Sequence, residues 1–345
     1  MITVQDEIVL EARHLAELES LFATRYRPGA EARGLAWISS QVSPPVAITN
    51  GFVTLQQRWS VADTNAWWAM RAQSGSEDVA AFWASVDGLC QSRRRTYLHD
   101  TTEANLTAPA PAQAGIISRG HRETAQLRVR EGGIPALQQV LLKHAGNLPR
   151  LEASELAQNM APEYAAGHLT WDLLYPSAEA AASARTGEAW QSHIAPALAT
   201  YCDAVHALTL ETVGAGLREA QLTQGVKRTA FFRLLPGKEN ESAARFEGDL
   251  LTMPLHIEQI RNWRLSRARP AAWHSADAAT WNWVWEQEFA DLDGLLGPYM
   301  AHPHHWAHID RWFDPESGAQ AIDTRLSHAF SPLSASILGR ELLQA

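Results

Sequence analysis

Four histidines crowd the stretch from Gly297 to Asp314, GPYMAHPHHWAHIDRWFD: His302, His304, His305 and His308, with Tyr299 just ahead. On a helix, His302, His305 and His308 recur every three residues, and His304 and His308 stand four apart, so each set shares a face. An unperturbed imidazole titrates near ~6.5, so the chemistry such a stripe suits is proton transfer. Zinc is the rival use, because the His304–His308 spacing is that of a helical zinc pair. The zinc-protease pattern needs glutamate after the first histidine, and His305 stands there. Asp310 and Asp314 are spaced to other faces, so no three- or four-ligand set is complete and no metal is expected. A third reading stays open, in which the histidines only cap and hydrogen-bond within a polar helix.

Just upstream lies an alternating segment, with Trp281, Trp283, Trp285 and Gln287 on one face and Val284, Glu286 and Glu288 on the other. If the tryptophan face meets the histidine helix, it forms an aromatic wall opposite Tyr299 and His305. Glu286 and Glu288 then face the other way, where pairing with basic groups is the usual way to bury charge. The chain holds 14 tryptophans, which read either as core or as the lining of a pocket for a flat, apolar ligand.

The elements that would position these residues repeat. Phe52 to Trp67, His168 to Ala181 and Asn282 to Leu295 each run from an alternating strand into a helix. Ser60, Ser177 and Asp291 are the expected N-caps. Each copy has an earlier strand and helix before it and a last strand after it. The first frame opens with Ile2 to Leu10 and a helix from Ala12 to Tyr26, broken by Pro28-Gly29, and closes with Arg94 to Leu98. The second opens with Glu123 to Arg130 and a helix from Pro135 to Ala145, and closes with Ala207 to Val213. The third opens with Val226 to Leu235 and a helix from Ser242 to Leu251, and closes with Ile322 to Phe330. The order β-α-β-β-α-β, three times, predicts an α+β chain of three ferredoxin-like modules at 1–106, 115–216 and 224–335. Thr107 to Ala114 reads as a linker, and Gly214 to Gly225 as a second junction. A helix-covered sheet leaves a second face to bury. Two modules can pack sheet to sheet, and the third would then call for a homodimer.

Composition narrows the partners. The chain has 345 residues, 46% of them hydrophobic, and a net charge of -9, which disfavours nucleic acid. Arg93-Arg94-Arg95 is the one dense basic run and reads as a solvated strand end. The two cysteines, Cys90 and Cys202, suit small core positions on helices. No secretory leader and no membrane-length apolar run is visible, so a cytoplasmic protein is expected.

The pattern Tyr299-Met300-Ala301-His302-Pro303-His304-His305, with Asp310 behind it, resembles the Tyr-x-x-His-Pro-x-His signature of the stress-responsive A/B-barrel (Dabb) family. That family belongs to the dimeric α/β-barrel superfamily and includes a plant olivetolic acid cyclase. The resemblance covers about Val226 to Phe330. It implies dimeric α/β-barrel type sheets and a pocket between one module's sheet and its helices. It also implies Tyr299 and His305 as the proton-transfer pair, with His302 assisting and His308 beside the substrate. Two positions depart from the family. Arg228 and Trp283 stand where it carries first- and third-strand histidines, so cyclisation itself is not implied. Arg228 would hold an anionic oxygen, being permanently charged, and Trp281, Trp283 and Trp285 would wall the substrate. The implied function is a cofactor-independent lyase, isomerase or cyclase acting on a small aromatic or polyketide-like molecule. A haem enzyme is the alternative, since related families bind haem through one histidine. A non-catalytic ligand-binding or stress protein is the other.

Overall fold

The structure, a computed structural model, describes residues 1–46, 48, 50–102, 116–161, 164–239 and 241–344. The expected linker Thr107 to Ala114 lies outside them. The chain forms two compact units, Met1–Pro109 with Met300–Thr324, and Ala110–Tyr299 with Arg325–Ala345.

In the first unit the strands are β1 (Ile2–Glu11), β2 (Ala36–Ser43), β3 (Phe52–Val61) and β4 (Cys90–Leu98). They form an antiparallel sheet in the order β2-β3-β1-β4, with helices between β1 and β2 and between β3 and β4. This is the ferredoxin-like order. Period-two alternation sends Ile2, Val4, Ile8 and Leu10 into the core with Trp59, Trp67 and Trp83. The opposite face carries Thr3, Gln5, Glu7, Gln56 and Arg58. It is mostly polar, with Val9, Phe52 and Leu98 among these residues.

In the second unit two such modules share one sheet. Strand β5 (Ile116–Ser118) pairs with β14 (Leu342–Gln344) in a small separate ribbon. The remaining strands are β6 (His121–Val129), β7 (Ala153–Gln158), β8 (Leu169–Tyr175), β9 (Cys202–Leu217), β10 (Gly225–Phe232), β11 (Asn262–Pro270), β12 (Trp283–Phe289) and β13 (Ser327–Leu333). Their order is β13-β10-β12-β11-β9-β6-β8-β7, all antiparallel, in a nearly closed barrel. The seam between β7 and β13 is crossed just past β7, where Met160 N donates to the Phe330 carbonyl at 2.7 Å.

Strand β9 makes this fusion. It has 16 residues, and pairs with β6 through Cys202–Leu210 and with β11 through Leu208–Leu217. Gly214 and Gly216 are therefore strand residues and not a junction. At Gly216 a Cβ would lie 2.0 Å from the Trp263 ring, and at Gly214 2.8 Å from Leu251, so side chains from β11 and the Glu241–His256 helix occupy the space that glycine leaves.

Other local expectations meet the same test. Ser177 and Asp291 do cap their helices, through Ala180 N and Gly294 N. Ser60 stays in β3, and Asp63 caps instead. The first helical run continues past Pro28 to Ala32, with Pro28 in the first turn of its last segment, where a missing N–H is tolerated. Cys90 and Cys202 start strands rather than lying on helices. The arginine run is not a solvated end: alternation turns Arg95 inward to Asp6, at 2.7 Å, and leaves only Arg94 outside.

Inside the barrel the side chains are charged. Arg122 meets Asp172 at 2.8 Å, Glu286 at 2.9 Å and Glu341 at 3.0 Å. Lys227 meets Asp172 at 2.5 Å and Glu286 at 2.8 Å, and Arg264 also pairs with Glu341. Glu286 thus faces the barrel and is ion-paired, as alternation predicted. Glu288 also points inward but is held by hydrogen bonds from Ser336 and Asn262. Burial raises its pKa. Burial also pushes Asp172 and Glu286 upward, but the neighbouring cations outweigh it and hold both low. Removing one partner of such a cluster leaves buried charge uncompensated. Arg122→Met is expected to lower stability by roughly 3–5 kcal/mol, measured by urea unfolding. Arg94→Met, at the exposed Glu7 pair, is expected to change it by less than about 1 kcal/mol.

Candidate functional site

On the helix-covered face of the third module, β10 presents Val226, Arg228, Ala230 and Phe232, and β12 presents Trp283, Trp285, Gln287 and Phe289. Arg228 and Gln287 are cross-strand partners. Arg228 Nη1 donates to Gln287 Oε1 at 2.7 Å, and the Tyr299 hydroxyl donates to the same oxygen at 3.2 Å. The other guanidinium nitrogen, Nη2, donates to His328 Nε2 at 2.9 Å. A guanidinium only donates, so this imidazole nitrogen is the acceptor. The same logic fixes the Gln287 amide, since its oxygen must face the two donors. Its Nε2 is then buried and without a partner.

Arg228 is the unusual member. It is 5% exposed, as buried as Arg122 at 0% and Arg264 at 1%. Those two pair with carboxylates. Arg228 has none among the described residues; an amide, an imidazole and the Tyr299 phenol surround it. Burial depresses its pKa, with Tyr299 opposing. Burial raises the Tyr299 phenol, against Arg228 and Gln287, so the phenol keeps its proton. Phe289 packs edge-on to the phenol, with centroids 5.2 Å apart.

The equivalent strand pair of the second module is β6 with β8. Thr124 opposite Asp172 matches Thr229 opposite Glu286, so Glu123 and Leu173 occupy the places of Arg228 and Gln287. Glu123 there binds Arg185, at 2.7 Å, and Trp273. The Arg228 arrangement is not repeated in it.

The tryptophan wall is only partly as predicted. Trp283 lies on the Arg228 face, where its indole donates to Glu247 at 2.8 Å and its ring meets Phe246. Trp285 shares that face and is fully buried, its indole nitrogen without a partner. Trp281 precedes β12 and packs instead with Phe231 and Val284, on the barrel side, donating to His206 Nδ1 at 3.1 Å.

The histidine stripe belongs to the other unit. The single helix expected after β12 runs through Pro298 in widened turns and is interrupted at His302, just before Pro303. Residues 300–324 group with the first unit. Trp306 is buried there against Trp67 and Tyr97. His305 packs on Trp68 at 5.1 Å, and the Trp68 indole donates to the Met300 carbonyl. His302 Nδ1 accepts from His304 N at 3.1 Å, capping the next turn. The His304 and His308 rings lie 4.9 Å apart, and His308 Nδ1 meets Arg311 at 2.8 Å. The structure therefore brings Arg228 and Tyr299 together in one unit, and gathers His302, His305 and His308 in the other.

Sequence reading missed Gln287 as a hinge between two donors, and it missed His328. Alternation along β13 was the available signal, since it sets His328 and Phe330 on the face that carries Arg228.

The first unit holds two buried charge clusters of its own. Glu316 accepts from Tyr26, Arg33 and Trp83, and Arg95 lies 2.7 Å from it. Burial pushes this carboxyl up, yet Arg95 and Arg33 bring it down to about 2. Asp310 pairs with Arg71, beside Asp314. Burial outweighs Arg71 there and raises Asp310 to about 6.

Residues 226–325 match the family model of the stress responsive A/B barrel domain. No curated protein matches the chain. Among solved structures, the chain is similar to an anthrone oxidase-like protein at 10% identity, covering 63% of this chain and 94% of that one with a TM-score of 0.45. A candidate monooxygenase from Fusobacterium nucleatum matches at 11% identity over 68% and 99%, with a TM-score of 0.43. A NIPSNAP family protein from Agrobacterium tumefaciens matches at 14% identity over 31% and 100%, with a TM-score of 0.24. At these identities the likeness carries no chemistry. Among the described residues no helix is long and apolar enough to cross a membrane.

Asp310 sets a pH dependence. Its folded pKa lies above the ordinary aspartate value of 3.8, so the folded state holds the proton longer than the unfolded chain. Its contribution is fully favourable below about 4 and is lost as pH rises through about 6. Asp310→Asn is expected to flatten the fall in stability between those values, measured as Tm against pH.

Proposed function

We propose that the third module is a cofactor-independent enzyme, a lyase, isomerase or cyclase, acting on a small aromatic or polyketide-like molecule with a carbonyl or phenolic oxygen. One observation carries the reading: Arg228 is buried without a carboxylate among the described residues, and it converges with Tyr299 on a single oxygen. A buried cation without a counter-charge is costly. An anionic oxygen that develops during reaction would supply that counter-charge, as preorganised donors do for oxyanions. Tyr299, held protonated, would donate to the substrate oxygen while Arg228 stabilises the negative charge on it. His328 would take the proton from the adjacent carbon as a general base once Arg228 turns from its Nε2 to the developing negative charge and frees that lone pair. The family resemblance offers His305 for that last role, so the two histidines are rivals.

Turnover of a bona fide substrate tests this. Arg228→Met and Tyr299→Phe are each expected to reduce kcat about 100-fold or more, with folding retained by circular dichroism. His328→Ala is expected to fall as far, and His305→Ala to stay near wild type. The reverse pattern would transfer the base role to His305. Turnover unchanged by Arg228→Met would sink the proposal. Titration with hemin is expected to give no saturable Soret band; a band complete at one equivalent would replace this reading with a haem site.

A further inference from the structure

The other face of the same sheet carries a second candidate. Lys227 and Arg228 are neighbours on β10, so their side chains point to opposite faces, Lys227 into the barrel. The two edge strands, β7 and β13, do not pair. Their seam is bridged at one end by Met160 and Phe330, and at the other by Glu155, which meets Ser334 at 3.2 Å and Arg340 at 3.1 Å. Between the bridges lies a cavity of about 290 Å³. Leu333, Ala335 and Ile337 give it apolar walls, and Thr170, Asp172 and Lys227 give it a polar end. Asp172 and Lys227 are 2% and 3% exposed.

We infer that this slit is a second binding site, for a small uncharged molecule that carries a hydrogen-bond donor and an acceptor on a short apolar chain, such as a primary amide. The argument is charge balance. The ion-paired cluster at Lys227 sets Arg122, Lys227 and Arg264 against Asp172, Glu286 and Glu341, and Glu288 stands apart from it on Ser336 and Asn262. An anion or a cation placed there would unbalance a neutral buried network, which is expensive. A neutral head group adds no charge. The Lys227 ammonium has three donors, and Asp172 and Glu286 take two, so one is left for a guest carbonyl. The Asp172 carboxylate has capacity for a guest N–H. The cavity is large enough for a short alkyl tail against Leu333 and Ile337. Because it opens on the barrel side, this site stands or falls independently of the Arg228 chemistry.

The test uses the full chain and three probes of one size: butyramide, butyrate and butylammonium. Ligand-observed NMR is expected to show saturable binding of butyramide, at least tenfold tighter than either ion. Ala157→Leu, which fills the cavity wall, is expected to abolish it. Ala335→Phe, at a second lining position, serves the same purpose should Ala157→Leu fail to fold. Equal or tighter binding of an ion would overturn the inference. So would saturable binding by none of the three, or amide binding that survives whichever of the two variants folds.

Discussion

The second unit depends on the pairing of β9 with β11. Each ferredoxin-like module ends its sheet at an edge, and an edge carries unpaired backbone donors and acceptors. Here the last strand of one module runs on for 16 residues and satisfies the inner edge of the next. That single ladder turns two four-stranded sheets into one curved sheet with an inside. The side chains inside are buried, and Arg122, Lys227 and Arg264 are paired there with three carboxylates. The ladder needs glycine at 214 and 216 because the backbone must pass beneath Leu251 and Trp263.

Much of this was legible in the chain. Strand alternation assigned Gln287 and Glu286 to opposite faces, and the structure keeps them there. The caps at Ser177 and Asp291 arise from a small polar side chain at the start of an apolar periodic run, which is a local property. The β-α-β-β-α-β order emerged for the same reason, since periods and turns are written over short distances. The pairing of modules two and three was not legible. The stretch from Gly214 to Gly225 read as a junction, because a glycine that yields space to a distant side chain looks the same locally as one that ends a module.

The histidine stripe shows the same limit. Its three- and four-residue spacing is helical, and it comes directly after the third module's β12. The helix breaks at His302, before Pro303, and the segment beyond is ordered by partners far away in sequence: Trp67 and Tyr97 around Trp306, Arg71 on Asp310, Arg33 and Arg95 on Glu316. None of these pairings has a period. Arg95, read as solvated because it sits among other arginines, is instead the buried centre of one such cluster. His328, by contrast, was hidden by isolation, since one histidine in a strand carries no motif.

The fusion of two modules in one chain has a further consequence. Two identical chains closing such a barrel would be related by a two-fold axis. Every feature on one half would then be copied on the other. Here Asp172 and Glu286 still mirror one another across the interior, as do Arg122 and Lys227, but Glu123 and Leu173 face Arg228 and Gln287 at matched positions. The inner faces differ as well, since Glu155 stands opposite Asp172 where Arg264 stands opposite Glu286. Among the described residues, the barrel formed by one chain therefore carries one Arg228 arrangement rather than two.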